Sequence, residues 1–116
     1  MAVRVVDQVA AERRRARLEA ELRRILTELP RLGVKKAIVF GSLATGRVGP
    51  TSDLDLILIV PSGDTFARRL DRFYQALDPS VGLDLLVYTP EEFVAMAETN
   101  PFVRAATARG RVVYET

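Results

Sequence analysis

The chain contains no cysteine and no histidine. Without cysteine there can be no disulfide, no thiolate metal site and no cysteine nucleophile. Without histidine, a serine–histidine triad, a histidine zinc site and a histidine general base are all excluded. Any chemistry must run on carboxylates, hydroxyls, arginines or a metal held by oxygen. Long apolar runs are missing too. The longest largely apolar stretch, Leu54 to Val60 with Asp55 inside it, is far shorter than the roughly 20 residues a membrane-spanning helix needs. The start, MAVRVVDQVAAERRR, has no signal-peptide core, so a cytoplasmic location is the expectation. There is no internal repeat, no low-complexity tract and no interdomain linker.

What is present is a globular composition: 48% hydrophobic and 28% charged residues in a chain of 116, an expected single domain over residues 1–116. The net charge of +2 is carried almost wholly by arginine. That excess permits an anionic partner without requiring one.

Periodicity gives the elements. Val6 to Leu29 reads as a helix whose Leu18, Leu22, Ile25 and Leu29 form one apolar stripe. Arg13, Arg14, Arg15 and Arg17 lie in this helix. They read as a solvated face paired with Glu12, Glu19 and Glu21, or else as a nucleic-acid or partner contact. Ala37 to Phe40 reads as a strand, followed by a turn or brief helix at Gly41-Ser42. Leu54 to Val60 is a strand apolar on both faces. Asp64 is placed to cap a helix with the stripe Phe66, Leu70, Phe73 and Leu77. Gly82 to Tyr88 is a third strand. Thr89, Pro90 and Glu92 form a capping box. Asn100-Pro101 opens a further helix that Gly110 ends, and Arg111 to Glu115 is a last strand. The order predicts a mixed α/β or α+β fold, a small mixed sheet with helices packed against it.

Carboxylates stand where such a sheet should be buried. Strand alternation puts Asp53 and Asp55 on one face with Ile57 and Ile59, roughly 6–7 Å apart along the strand. In Gly82-Leu83-Asp84-Leu85-Leu86, Asp84 is again one acid inside an apolar pattern. Should the two strands be neighbours, three anions meet. They repel one another and lose hydration unless a cation sits between them. Such an oxygen-lined site suits Mg²⁺ and phosphoryl chemistry. Gly41-Ser42 adds a place where backbone can approach a phosphate closely. The competing reading is a solvated strand end and an ordinary tight turn.

Three segments together, Gly41-Ser42-Leu43-Ala44-Thr45-Gly46, Ser52-Asp53-Leu54-Asp55-Leu56 and Asp84 in its strand, resemble the nucleotidyltransferase superfamily of DNA polymerase β and kanamycin nucleotidyltransferase. The minimal nucleotidyltransferase branch is the closest match. The resemblance covers residues 37 to 87. It implies that Asp53, Asp55 and Asp84 are the catalytic and metal-binding residues, with Mg²⁺ and ATP or another nucleoside triphosphate. It implies that Gly41 and Ser42 cradle the terminal phosphates. Many relatives carry arginine where this chain has Thr45, and Arg47 is the candidate to replace it.

The implied reaction moves a nucleoside monophosphate, AMP for preference, to a hydroxyl acceptor. The implied partner is a HEPN-domain toxin, which makes the chain an antitoxin. The alternative is a non-catalytic antitoxin that covers its partner. Phe93, Met96, Phe102 and Val103 are candidates for the docking surface or for the core. Membrane is not expected as a partner, nucleic acid ranks last, and homo-oligomerisation is left open.

Overall fold

The computed structural model describes residues 2–116, with side chains from residue 5 onward. Nine elements follow one another: α1 (Ala2–Glu28), β1 (Lys36–Phe40), α2 (Gly41–Thr45), β2 (Leu54–Ile59), α3 (Phe66–Leu77), β3 (Leu83–Tyr88), α4 (Pro90–Thr99), α5 (Pro101–Arg109) and β4 (Arg111–Glu115). The strands form one sheet in the order β3-β2-β1-β4. β1 runs antiparallel to both β2 and β4, whereas β2 and β3 are parallel. A parallel pair needs a crossover, and α3 supplies it. This is the mixed sheet with helices against it that the element order predicts.

Strand alternation divides the core into two layers. Ala37, Val39, Leu54, Leu56, Leu58, Leu83, Leu85 and Val87 face one side, where they meet Leu18, Leu22, Ile25 and Leu29 of α1 and Phe73 and Leu77 of α3. Ile38, Phe40, Ile57, Ile59 and Tyr88 face the other side, against Val103 and Ala106 of α5 and Phe93 and Met96 of α4. Each wholly buried aliphatic or Phe side chain contributes about 1.5–3 kcal/mol. The α1 stripe is therefore as read from periodicity, although the helix begins at Ala2 rather than Val6.

Two helix details differ from the sequence reading. Asp64 does not cap α3. Thr65 does, its hydroxyl accepting from the Arg68 N–H. The buried positions of α3 are Arg69, Phe73 and Leu77, while Leu70 is half-buried and Phe66 is exposed, tilted against Tyr88.

Arg69 is 1% exposed and fully engaged on one side. It donates to the carbonyls of Val87 (2.8 Å) and Asp64 (2.9 Å) and to Glu92 Oε1 (2.6 Å). Glu92 in turn accepts from the Thr89 N–H, completing the expected capping box at the start of α4. A charge buried this deep is tolerable because a carboxylate and two carbonyls answer it. The effect is to lock α3, the end of β3 and α4 to one another.

Asn100 caps α5 by accepting from the N–H groups of Phe102 and Val103. At the other end, a Cβ on Gly110 would stand 2.5 Å from the Ala106 carbonyl oxygen and 2.8 Å from that of Val39. Only glycine fits there, and it seats the last turn of α5 directly on β1. No helix among the described residues is long and apolar enough to cross a membrane.

Candidate functional site

The parallel pairing of β2 with β3 sets Asp55 beside Asp84 in register. Both project to the sheet face that α4 and α5 cover, at the end those helices leave open. A cavity of about 490 Å³ lies over them, lined also by Phe40, Gly41, Tyr74 and Phe102. Asp55 is half-buried and Asp84 is exposed. Desolvation, a shared hydrogen bond with Asp84, and the charges of Asp84 and Asp53 push the Asp55 carboxyl up to about 7. Two carboxyl groups are thus held together by rigid strands, sharing a proton where a cation would let both ionise.

Asp53 lies one residue before β2 begins and is 50% exposed. Its carboxylate stands 3.8 Å from the Arg14 guanidinium and packs on Gly82, where a Cβ would overlap it. Among the described residues no three acidic side chains are gathered closely enough to share one ion. The structure brings Asp55 and Asp84 together and turns Asp53 partly away, still near enough to act on Asp55.

Glycine shapes both carboxylate seats. Gly41 has φ +69° and lies so close to Asp55 that an added Cβ would overlap Oδ2 and sit 2.9 Å from Cγ. Left-handed φ and lack of room each require glycine here. α2 starts at this residue. Its Leu43 is buried, and the Ser42 carbonyl closes the turn by accepting from the N–H groups of Gly46 and Arg47. Ser42 is half-buried; Thr45, Gly46 and Arg47 are exposed. Thr45 ends α2 and Arg47 lies just beyond it, and neither lines the carboxylate cavity.

Several residues of the site were not singled out by sequence. The Tyr74 hydroxyl of α3 donates to the Leu83 carbonyl (2.7 Å) and accepts from the Leu85 N–H (3.1 Å). These are the outward backbone groups on either side of Asp84, on a sheet edge that has no further strand. Tyr74 therefore completes the hydrogen bonding of β3 around its carboxylate. Tyr74→Phe should lower stability by about 1–2 kcal/mol, the worth of the hydrogen bonds lost. It should also speed amide exchange at Leu85 more than at residues of β4, as hydrogen-exchange mass spectrometry would read. Equal exchange at both strands would refute a local role.

The arginines of α1 behave as neither sequence reading supposed. Arg14 Nε donates to the Ser52 carbonyl (2.7 Å), Arg15 Nη2 to that of Gly46 (2.9 Å), and Arg17 Nη2 to that of Ser80 (3.1 Å). Glu21 pairs with Arg24 instead. Two loops that border the acidic residues, the one between α2 and β2 at both of its ends and the one between α3 and β3, are therefore tied to one helix. The loop before β2 has two further restraints. The Ser52 hydroxyl accepts from the Gly49 N–H, and Val48 is buried. Of the docking candidates, Val103 is buried, and Phe93 and Met96 pack on the second core layer. Phe102 is 58% exposed, held edge-on by Phe40 with ring centroids 5.7 Å apart.

The side chains at this centre that could ligate an ion are all oxygen donors, and the registered carboxyl pair has no arginine or lysine in ion-pairing distance among the described residues. Both properties fit a hard divalent cation.

The chain is similar to known proteins. Residues 20–114 match the model of the nucleotidyltransferase domain. A bifunctional uridylyltransferase/uridylyl-removing enzyme of Corynebacterium glutamicum is 50% identical over 56 residues. That match covers 48% of this chain but only 8% of the enzyme. Among solved structures, a protein of Sulfolobus solfataricus provisionally described as a nucleotidyltransferase superposes with a TM-score of 0.61 at 19% identity, covering 74% of this chain and 79% of the other. A toxin–antitoxin structure with AMP-PNP gives 0.54 at 18% identity, covering 81% and 73%. The two superpositions show a shared fold. The family match spans most of the chain, from the middle of α1 into β4, and takes in every carboxylate of the candidate site. By that match the chain belongs to the nucleotidyltransferase domain family.

Proposed function

We propose that the protein transfers a nucleoside monophosphate from a nucleoside triphosphate to a hydroxyl acceptor at Asp53, Asp55 and Asp84. The observation that carries this reading is the registered Asp55–Asp84 pair, with the Asp55 carboxyl pushed up to about 7 by desolvation and by Asp84 and Asp53 beside it. Asp55 and Asp84, with Asp53 beside them, would hold Mg²⁺. When bound, the ion supplies charge neutralisation for the phosphates and for the leaving pyrophosphate.

The chain's own residues do the rest. Asp84, the exposed member of the pair, accepts the proton of the attacking hydroxyl. The hydroxyl oxygen bonds to the α-phosphorus as the bond to pyrophosphate breaks, so atoms and charge balance. Gly41 leaves room for the phosphates against the start of α2, and Ser42 offers its hydroxyl. The α4–α5 face excludes water from one side.

The AMP-PNP of the solved neighbour supports ATP as donor, and the Corynebacterium relative makes UTP the comparison. A toxin is the proposed acceptor and partner, on the strength of the same toxin–antitoxin neighbour; a HEPN-type toxin is the form that the minimal-nucleotidyltransferase resemblance implies. The test is transfer of label from α-labelled ATP or UTP, with Mg²⁺, to the co-purified partner. Label on the partner with release of pyrophosphate is expected. Neither transfer nor triphosphate binding would overturn the proposal. A second reading, a module that only masks its partner, is favoured by the exposed Val94 and Phe102, both 58% exposed. It predicts that Asp55→Asn still neutralises the toxin.

A further inference from the structure

Asp55 and Asp84 are not the only unmatched charges in the protein. Arg47, just past α2, and Arg109, the last residue of α5, line one cavity of about 420 Å³ together with Thr45. Neither guanidinium has a carboxylate within ion-pairing distance among the described residues. A cation in the last turn of α5 suits the dipole of that helix. The dipole accounts for a positive residue there, but not for its sharing a cavity with Arg47.

This cavity joins the carboxylate site. An intervening hollow of about 340 Å³ shares Thr45 and Arg109 with it and shares Phe40, Gly41 and Phe102 with the cavity over Asp55 and Asp84. Adjoining hollows thus lead from the Asp55–Asp84 carboxyl pair, past Gly41, to two arginines without carboxylate partners. Gly110, seated on β1, fixes the backbone position of Arg109 relative to that groove.

We infer that Arg109, together with Arg47, binds the polyphosphate tail of a nucleoside triphosphate whose reacting phosphate lies at Asp55 and Asp84. This rests on the proposed transferase reading and adds a residue from α5 to it. A metal–triphosphate has the matching polarity: a cation for the carboxylate end and terminal phosphate oxygens for the arginine end. Guanidinium forks bind such oxygens with two parallel hydrogen bonds. A side chain as small as Thr45 leaves space between the two arginines.

The experiment titrates inorganic tripolyphosphate, and separately AMP, into the full chain by calorimetry at about 0.15 M salt, where long-range charge effects are screened. Arg109→Gln should weaken tripolyphosphate binding about tenfold, the worth of one charge-assisted contact, and leave AMP binding unchanged. Arg109→Lys, which keeps the charge, should recover part of the loss. Both side chains are exposed, so melting temperatures should match the parent and exclude misfolding.

Equal tripolyphosphate affinity in parent and Arg109→Gln overturns the inference. So does an equal loss for AMP and tripolyphosphate, and so does a parent that binds no tripolyphosphate. The two readings fail separately. Arginine-dependent tripolyphosphate binding without nucleotidyl transfer leaves the inference standing and sinks the transferase. Transfer whose triphosphate KM is unmoved by Arg109→Gln does the reverse.

Discussion

Asp55→Asn is expected to raise the melting temperature at pH 8 by about 5 °C, the equivalent of about 1–2 kcal/mol, while the proposed nucleotidyl transfer falls by at least about 100-fold. Stability and activity move in opposite directions because one group is responsible for both. In the folded protein the Asp55 carboxyl is pushed up to about 7, first by desolvation and then by Asp84 and Asp53. Its ordinary value is 3.8. Below that value the group is neutral in both folded and unfolded chains and costs nothing. Between about 4 and 7 the unfolded chain ionises while the folded one keeps its proton, so folding binds protons and stability falls as pH rises. Above 7 the full penalty persists.

Asparagine cannot ionise, so the variant's advantage should vanish near pH 4. The magnitude is discounted because the pair is open to solvent. A bound divalent ion should relieve the same strain. Mn²⁺ or Mg²⁺ should therefore raise the melting temperature of the parent and leave Asp55→Asn unmoved. A variant no more stable at pH 8 than at pH 4, relative to the parent, would show that the carboxylates are not in conflict.

Glu21→Ala should destabilise the protein by about 3 kcal/mol, although it lies away from the site. Glu21 is 2% exposed. It accepts from Arg24 Nε (2.6 Å) and Nη2 (3.0 Å) and from the Ser80 N–H (2.5 Å). Arg24 Nη2 also donates to the Leu77 carbonyl (2.8 Å). One acid thus fastens the middle of α1 to the end of α3 and to the loop before β3. The Arg24 hydrogen bond, against the pull of burial and with help from Ser80, holds its carboxyl down to about 2.

A depressed carboxylate contributes fully above the unfolded value of 4.5, and the contribution is lost as pH falls through about 2. The gap between parent and Glu21→Ala, followed by urea denaturation, should therefore be constant from pH 8 to about 5 and close toward pH 2. Glu21→Gln, which keeps the shape, should fall between them. A gap unaffected by acid would mean that packing, not the ion pair, accounts for the loss.

Much of this was readable in advance where a local rule has no rival. The leucines of α1 repeat every three or four residues, and nothing else explains that spacing. Thr89 and Glu92 form their capping box within four residues, so no distant partner could alter it. Alternation alone puts Asp55 on the face of Ile57 and Ile59, where it lies, and the apolar pattern around Asp84 marks that acid out. Their adjacency depended on α3 crossing over to set β2 and β3 parallel, which no spacing encodes.

Asp53 shows where alternation stops. It precedes the first paired residue of β2, so the pleat does not govern it, and Arg14 and Gly82 do. Arg69 was hidden for a different reason. Arginine reads as surface, and its partner Glu92 lies on another helix. Tyr74 and Arg109 carried no signal at all, because their partners are backbone groups or a shared cavity. Thr65 and Asp64 are both good caps, and only the start of the helical backbone at Phe66 decides between them.

The ties made by Arg14, Arg15 and Arg17 bear on how such a protein can change over generations. Each reaches a main-chain oxygen, an atom that every residue type provides. Positions 46, 52 and 80 can therefore drift to other residues compatible with their local backbone without untying the loops. The arginines have no such freedom. Diversification of the rim around the acidic residues, toward new acceptors, is thus possible while its anchorage stays with three guanidiniums on a single helix.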